Sequence, residues 1–329
     1  MNRQAFLGIF VFLSVSIVLC AFSHPASASG VTQKIVPLEH NGVKLHLECL
    51  KAEGGGEKEP LLMVHGLTYS SHEFDVNYGD YSFARFFTQN GYAVWLLDIA
   101  GYGSSQAVED GFKPNSDYAA EDIASAVRLI LERSGKKSMD VLGWSWGTVT
   151  SGRFAAKYPE MVKKLVLYAP IVAGLAAMDV TSPFHENSWD HAAGDFQVKE
   201  DKTIDYDIVE AAVADTFLSN CWRYDKDSSP NGGRRDLLVA PDKRLIPTAD
   251  IKAPVLLISG SKDDYVSPEL CKEAFDTLRN KGSRLEIIEG GAHAMMMEKP
   301  YYKVFREKVL DFLTAFSILR GGKTAPEDG

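Results

Sequence analysis

Four short stretches, far apart in the chain, hold residue types that do acyl-transfer chemistry. The first is Gly143-Trp144-Ser145-Trp146-Gly147. A hydroxyl is a poor nucleophile until a base takes its proton, and it must be presented where a substrate can reach it. A serine on a sharp strand-to-helix turn meets the second need, and so crowded a turn leaves no room for side chains two positions to either side. A strand expected at 139–142 leads into this motif and a helical pattern leaves it at Trp146. The same helix start aims the Trp146 amide, helped by the helix dipole, at a developing oxyanion.

A base for that serine belongs late in the chain, after the last strand. Gly290-Gly291-Ala292-His293 follows the strand expected at 285–288, and its glycines predict a mobile loop that swings the imidazole over the serine. The other histidines have no such setting: His24 and His40 precede the sheet, His46 is within a strand, His65 and His72 flank a loop, and His185 and His191 fall in an insertion. An acid that fixes the imidazole should sit just past an earlier strand. The run 255–258 opens into Gly260-Ser261-Lys262-Asp263-Asp264, where two carboxylates compete. Asp263, three residues past Gly260, is preferred; Asp264 is expected to cap a helix or face solvent, and Asp98 to serve as a structural turn residue. The second oxyanion donor is expected from His65-Gly66-Leu67 after the run 61–64, with the Leu67 amide donating, Gly66 allowing the close turn and His65 bonding the loop.

Those groups must be carried by strands and helices in alternation. Residues 43–50 alternate apolar and polar as a half-exposed strand does, and 61–64, 92–97, 139–142, 165–167, 255–258 and 285–288 are short buried runs. Between them, 117–133 reads as an amphipathic helix stopped by Gly135, a helix from Trp146 closes at Pro159, and 269–278 and 301–319 complete the set. This alternation predicts an α/β fold, a mostly parallel sheet with helices on both faces. Residues 171–250 break the rhythm with polar and aromatic residues, a helix at 206–218 and a loose segment at 225–235. They are expected to form a helical cap inserted in a core made of 34–170 and 251–319, with a polar tail at 320–329.

His65-Gly66, Asp98-x-x-Gly101-x-Gly103-x-Ser105, Gly143-x-Ser145-x-Gly147, Gly260-x-x-Asp263 and His293, in that order, resemble the α/β-hydrolase superfamily over about residues 34–318. The resemblance implies a serine hydrolase that cleaves carboxylic esters, carboxylesterase- or lipase-like, through an acyl-enzyme. It implies Ser145, Asp263 and His293 as the triad and Leu67 and Trp146 as the oxyanion hole, with no cofactor and no metal. A serine at the elbow sets the chain apart from the dehalogenase and epoxide-hydrolase branches, which place an aspartate there. Tyr69, Trp144, Trp189 and Trp222 would suit an apolar substrate, or simply pack cap against core. Other readings are an exopeptidase similar to prolyl aminopeptidases, with Glu186, Asp190 or Asp195 holding a substrate amine, a thioesterase, or a binding protein that keeps the scaffold without catalysis.

Composition bounds the partners. The 329 residues are 45% hydrophobic and 24% charged, as in an ordinary globular protein, and the formal net charge is −9. An acidic surface repels phosphate backbones and anionic lipid, so a small ester or lipid-like substrate is expected and nucleic acid is not. Residues 1–28 carry the marks of a signal peptide: Arg3, an apolar run at 5–22, Pro25, and the small-x-small Ala26-Ser27-Ala28. Secretion or periplasmic export follows, with no stable membrane insertion after cleavage; the alternative is an anchor formed by 5–22. An oxidising compartment would permit one disulfide among Cys49, Cys221 and Cys271, whose spacing resembles no zinc pattern.

Overall fold

The sheet opens with a hairpin. In the computed structural model, which describes residues 30–54, 58–196, 199, 201 and 203–315, Val31–His40 (β1) and Val43–Ala52 (β2) pair antiparallel with His40 opposite Val43. Asn41 and Gly42 between them take φ of 49° and 77°. This is the two-residue turn that Asn-Gly favours, because its twist matches that of the flanking strands. The expected leader at 1–28 and tail at 320–329 lie outside the described residues.

The remaining strands in chain order are Glu59–Val64 (β3), Tyr92–Asp98 (β4), Met139–Trp144 (β5), Val162–Tyr168 (β6), Phe184–Glu186 (β7), Ser228–Pro230 (β8), Val255–Gly260 (β9) and Arg284–Ile288 (β10). All but β7 and β8 join one sheet in the order β1-β2-β4-β3-β5-β6-β9-β10. The pairings from β4 to β10 are parallel, and β2 meets β4 antiparallel. The helices are Phe83–Gln89 (α1), Ser116–Ser134 (α2), Trp146–Lys157 (α3), Trp189–Ala193 (α4), Ala211–Asp225 (α5), Gly232–Leu237 (α6), Pro268–Thr277 (α7) and Tyr302–Thr314 (α8).

Alternation along the central strands sends side chains to both faces. Leu62, Val64 and Val141 pack with Ile123 and Val127 of α2, Phe154 of α3 and Cys271 of α7. On the other face Leu61, Met63 and Leu142 pack with Phe83 and Phe87 of α1 and Phe305 and Val309 of α8. A parallel sheet covered this way ends all its chemistry-bearing loops at one edge, the carboxyl ends of β3, β4, β5, β9 and β10.

The segment between β6 and β9 holds α4, α5 and α6 and the antiparallel pair β7-β8. The helix expected at 206–218 runs instead from Ala211 to Asp225. Asp205 turns the chain by accepting the Ile208 and Val209 amides, and Val209 then forms a bridge with Glu298, which keeps the stretch before Glu210 out of the helix. The stretch expected to be loose at 225–235 contains β8 and the start of α6. Cys49, Cys221 and Cys271 are free and buried. Among the described residues no helix is long and apolar enough to cross a membrane.

Candidate active site

Ser145 joins β5 to α3 with φ 54° and ψ −120°, a left-handed conformation that side-chain-bearing residues seldom adopt. The flanking glycines are explained by what a Cβ would strike. At Gly143 it would run into the Gly147 carbonyl, and at Gly147 into the carbonyls of Val64 and His65. The Ser145 amide donates to the Tyr168 carbonyl at 3.0 Å, and the Ser145 carbonyl accepts from the Thr148 amide and hydroxyl, at 2.9 and 2.5 Å. The elbow is therefore locked from both sides. Trp146 and Gly147 begin α3, whose first-turn amides lack intrahelical acceptors.

Beside the elbow runs the loop after β3. A Cβ on Gly66 would sit 3.3 Å from the Ser145 Cβ, so any larger residue would have to push the two chains apart by a few tenths of an ångström. His65 is buried; its Nε2 accepts the Ile99 amide at 3.1 Å and its Nδ1 bonds the Gly66 carbonyl at 2.8 Å. Both ring nitrogens are engaged in holding the loop, and burial pushes the imidazole down from its ordinary value. The Gly66 amide donates to Glu73 Oε1 at 2.7 Å. Burial raises the Glu73 carboxyl well above the usual range. Sequence reasoning missed Glu73, and nothing in its local pattern separates it from a surface acid. Leu67 lines the cavity in front of Ser145, and Thr68 after it takes φ 83°, rare for a β-branched residue.

His293 lies past β10 with its side chain 7% exposed, and its Nδ1–H donates to Asp263 Oδ2 at 2.9 Å; that carboxylate is 0% exposed. Asp263 Oδ1 accepts the Tyr265 amide at 2.9 Å. Asp264 is exposed, and Ser267 rather than Asp264 caps α7. Asp98 is buried, with Oδ1 accepting from the Ser71 amide and hydroxyl and Oδ2 from the Ser104 amide, so it fastens turns.

The expectation of a swinging histidine loop is corrected. The His293 carbonyl accepts Trp144 Nε1–H at 3.1 Å and the Tyr168 hydroxyl at 2.7 Å, which pins the loop from beneath. The glycines serve close packing instead. A Cβ on Gly260 would strike the Gly291 carbonyl, and Gly290 takes φ 84° with its amide on Ser261 Oγ.

Ser145 and His293 open on one cavity of about 190 Å³, together with Leu67, Tyr69, Asp195 and Arg234. A second cavity of about 370 Å³ shares Asp195, Tyr265 and His293 with the first. Of the aromatic residues expected at a substrate site, Tyr69 reaches the first cavity. Trp144 is buried behind it, stacked on Tyr168, while Trp189 and Trp222 are 46% and 50% exposed and line neither cavity. Of the cap acids, Asp195 lines both cavities, whereas Glu186 and Asp190 are exposed.

Charges around the imidazole set its basicity. Burial alone pushes His293 down, but the Asp263 carboxylate, through charge and hydrogen bond, and then Asp195, outweigh it, so the group is raised above 6.5. Burial lifts Asp195 to about 6, with His293 pulling it back. Away from the cavity, His46, His72 and Asp98 offer ligand atoms within 4.8 Å of one another, the one such group of three among the described residues. Three bonds from Ser71 and Ser104 already occupy the Asp98 oxygens.

A mostly parallel sheet with a serine elbow, a buried histidine–carboxylate pair and a helical segment inserted between β6 and β9 defines the α/β-hydrolase class. Within it, the family model described as serine aminopeptidase, S33 (Hydrolase_4), matches residues 56–300, and the chain belongs to that family. It is 27% identical over 293 residues to the human serine hydrolase BPHL, covering 88% of this chain and 89% of that protein. It is 26% identical over 335 residues to Lipase 1 of Psychrobacter immobilis, covering 93% and 97%. Among solved structures, the esterase RhEst1 of Rhodococcus sp. ECU1013 superposes with a TM-score of 0.60 at 18% identity, over 87% of this chain and 99% of that one.

Proposed function

We propose that this serine hydrolase cleaves carboxylic esters through an acyl-enzyme on Ser145. The observation that carries the reading is the elbow serine in one cavity with an imidazole whose Nδ1–H is bonded to Asp263. That bond leaves Nε2 as the nitrogen free to act as base. His293 takes the Ser145 proton as the oxygen attacks the acyl carbon. The Leu67 and Trp146 amides hold the oxyanion. His293 then returns the proton to the leaving alcohol, and a water activated by the same imidazole releases the acid. The acyl group lies in the cavity of Ser145, and the leaving group points toward the adjoining cavity across His293. Names borne by relatives, a lipase and a serine hydrolase, agree with ester cleavage.

Asp195 favours a second reading. A carboxylate on the wall of both cavities suits a substrate amine, as an aminopeptidase requires, and the matching family model carries that description. A panel of 4-nitrophenyl esters against amino-acyl 4-nitroanilides separates the two. The ester reading expects kcat/KM for esters to exceed that for anilides by at least about a hundredfold, with Ser145→Ala inactive on both. Anilides cleaved faster than matched esters would replace it. A fluorophosphonate that fails to label Ser145 would leave a non-catalytic scaffold. For localisation we propose export through residues 1–28, supported by the apolar run at 5–22 and Ala26-Ser27-Ala28. Amino-terminal sequencing of the native protein checks it: a mature chain starting after Ala28 agrees, and an intact leader would mean an anchor.

A further inference from the structure

Arg234 is the charged group on the Ser145 cavity that the chemistry above leaves unused. Its Nη1 donates to Asn231 Oδ1 and its Nη2 to Thr68 Oγ1, both at 2.8 Å. Both acceptors are neutral, and among the described residues no carboxylate forms an ion pair with it. A guanidinium carries five N–H donors, so these two bonds leave capacity for a ligand. A partly buried cation without a counter-ion is unfavourable unless something binds there to supply one.

The seat is firm. Gly233, just before it in the chain, packs so tightly on the Trp146 ring that a Cβ would lie 2.5 Å from it, and the Asn231 amide side chain donates to the Ser182 carbonyl at 3.0 Å. Burial and then the Arg234 charge push His185 down to about 4. Asp195, also on this wall, has His293 and Asp263 as its charged neighbours and forms no ion pair with Arg234.

We infer that Arg234 anchors a carboxylate on the acyl part of the substrate, so that the preferred esters are half-esters of dicarboxylic acids. The inference rests on the ester-hydrolase reading. Thr68 follows Leu67, so the guanidinium stands one residue along from the proposed oxyanion donor. The acyl chain then lies in this cavity between Ser145 and Arg234, along Leu175, Leu237 and Leu238. Guanidinium and carboxylate match as a planar, two-bonded pair, which gives direction as well as affinity.

The competing role for Arg234 is a tether that only steadies Thr68. The two are separated by kcat/KM for mono-(4-nitrophenyl) glutarate and for its neutral isostere, 4-nitrophenyl 5-methylhexanoate. Wild type should prefer the half-ester by about tenfold or more. Arg234→Gln should lose roughly ten- to a hundredfold on the half-ester, mostly through KM, while the neutral ester stays within about threefold, and Arg234→Lys should recover part of the loss. Equal handling of both esters by wild type, or an equal fall on both in Arg234→Gln, overturns the inference. Calorimetric binding to Ser145→Ala separates this failure from that of the ester reading. If neither ester turns over, yet the half-ester binds at least about tenfold tighter than the isostere and Arg234→Gln abolishes the difference, the anion site stands alone. If both are hydrolysed with no preference for charge, the hydrolase stands and the site falls.

Discussion

At Ser145 the backbone is held in a conformation that costs about 1–3 kcal/mol, because only there does the hydroxyl stand clear of both strand and helix. That strain is useful only if imidazole and carboxylate act with it, and single replacements test the set. Ser145→Ala and His293→Ala should each lower kcat by about 10³-fold or more with the thermal midpoint nearly unchanged. Asp263→Asn should lose at least about a hundredfold, because an amide oxygen or nitrogen at that place mis-sets the Nδ1 tautomer, while Asp264→Asn on the exposed neighbour stays within about twofold. The reverse pair of results would reassign the acid. The pH profile carries a second residue-level prediction. On the proposed mechanism His293 acts as base only when neutral, and its pKa is raised above 6.5, so kcat/KM should rise with pH through a midpoint above that value. Asp195 helps to hold the proton on, and Asp195→Asn removes that charge. The midpoint should then move to lower pH, and an unmoved or raised midpoint would mean that Asp195 does not act on the imidazole.

Among the elements, those that carry the chemistry were the most legible, because their signals are local and steric. Gly143 and Gly147 announce a turn through the clashes that any Cβ there would create, Gly260-x-x-Asp263 follows a plain apolar run, and His293 follows a strand whose apolar residues flank Glu286. β1 shows itself mainly through its turn: Asn41-Gly42 between two strand-like stretches is a strong hairpin signal, while the exposed outer strand lacks the apolar run that marks its buried neighbours. The cap was hardest. Where α5 starts depends on a turn at Asp205 and on a bridge from Val209 to Glu298, 89 positions away, neither of which shows in the local periodicity. Trp189 and Trp222 look like ligand contacts in sequence and prove to be outward-facing, since composition does not say which side of a helix meets the core. Gly233 tests the joint between cap and elbow. A methyl there gains up to about 1 kcal/mol of helix propensity but must push α6 or the Trp146 ring aside, at a cost of about 1–3 kcal/mol. Gly233→Ala should therefore lower kcat by about tenfold or more, through the displaced Trp146 amide, with modest loss of stability in a urea melt. Wild-type rates would show that the joint tolerates the shift.

For the molecule as a whole, one carboxylate ties its parts together. Asp225, the last residue of α5, accepts the Ser70 amide and hydroxyl on Oδ2 and the Gly103 amide on Oδ1, all at 2.9 Å. Cap, loop after β3 and turn after β4 thus meet at one buried group. Burial, with the nearby Asp98 charge, lifts Asp225 to about 7. Because its folded value exceeds the ordinary 3.8, its contribution to stability should be greatest below that value and decline as pH rises from about 4 to 7. Asp225→Ala strands three donors, two of them buried, and a loss of roughly 2 kcal/mol or more is expected in the urea midpoint. Faster amide exchange in α5 should accompany it. A cap that exchanges no faster than in wild type would show that the clamp lies elsewhere.

The proposed catalysis requires the acyl group to pass through Ser145. Wild-type protein quenched in acid within its first turnovers on a 4-nitrophenyl ester, then digested and weighed peptide by peptide, tests this directly. The result expected is one acyl mass per chain, on the peptide that contains Ser145 and absent from Ser145→Ala. Acyl label on any other residue, or unchanged turnover in Ser145→Ala, would contradict it.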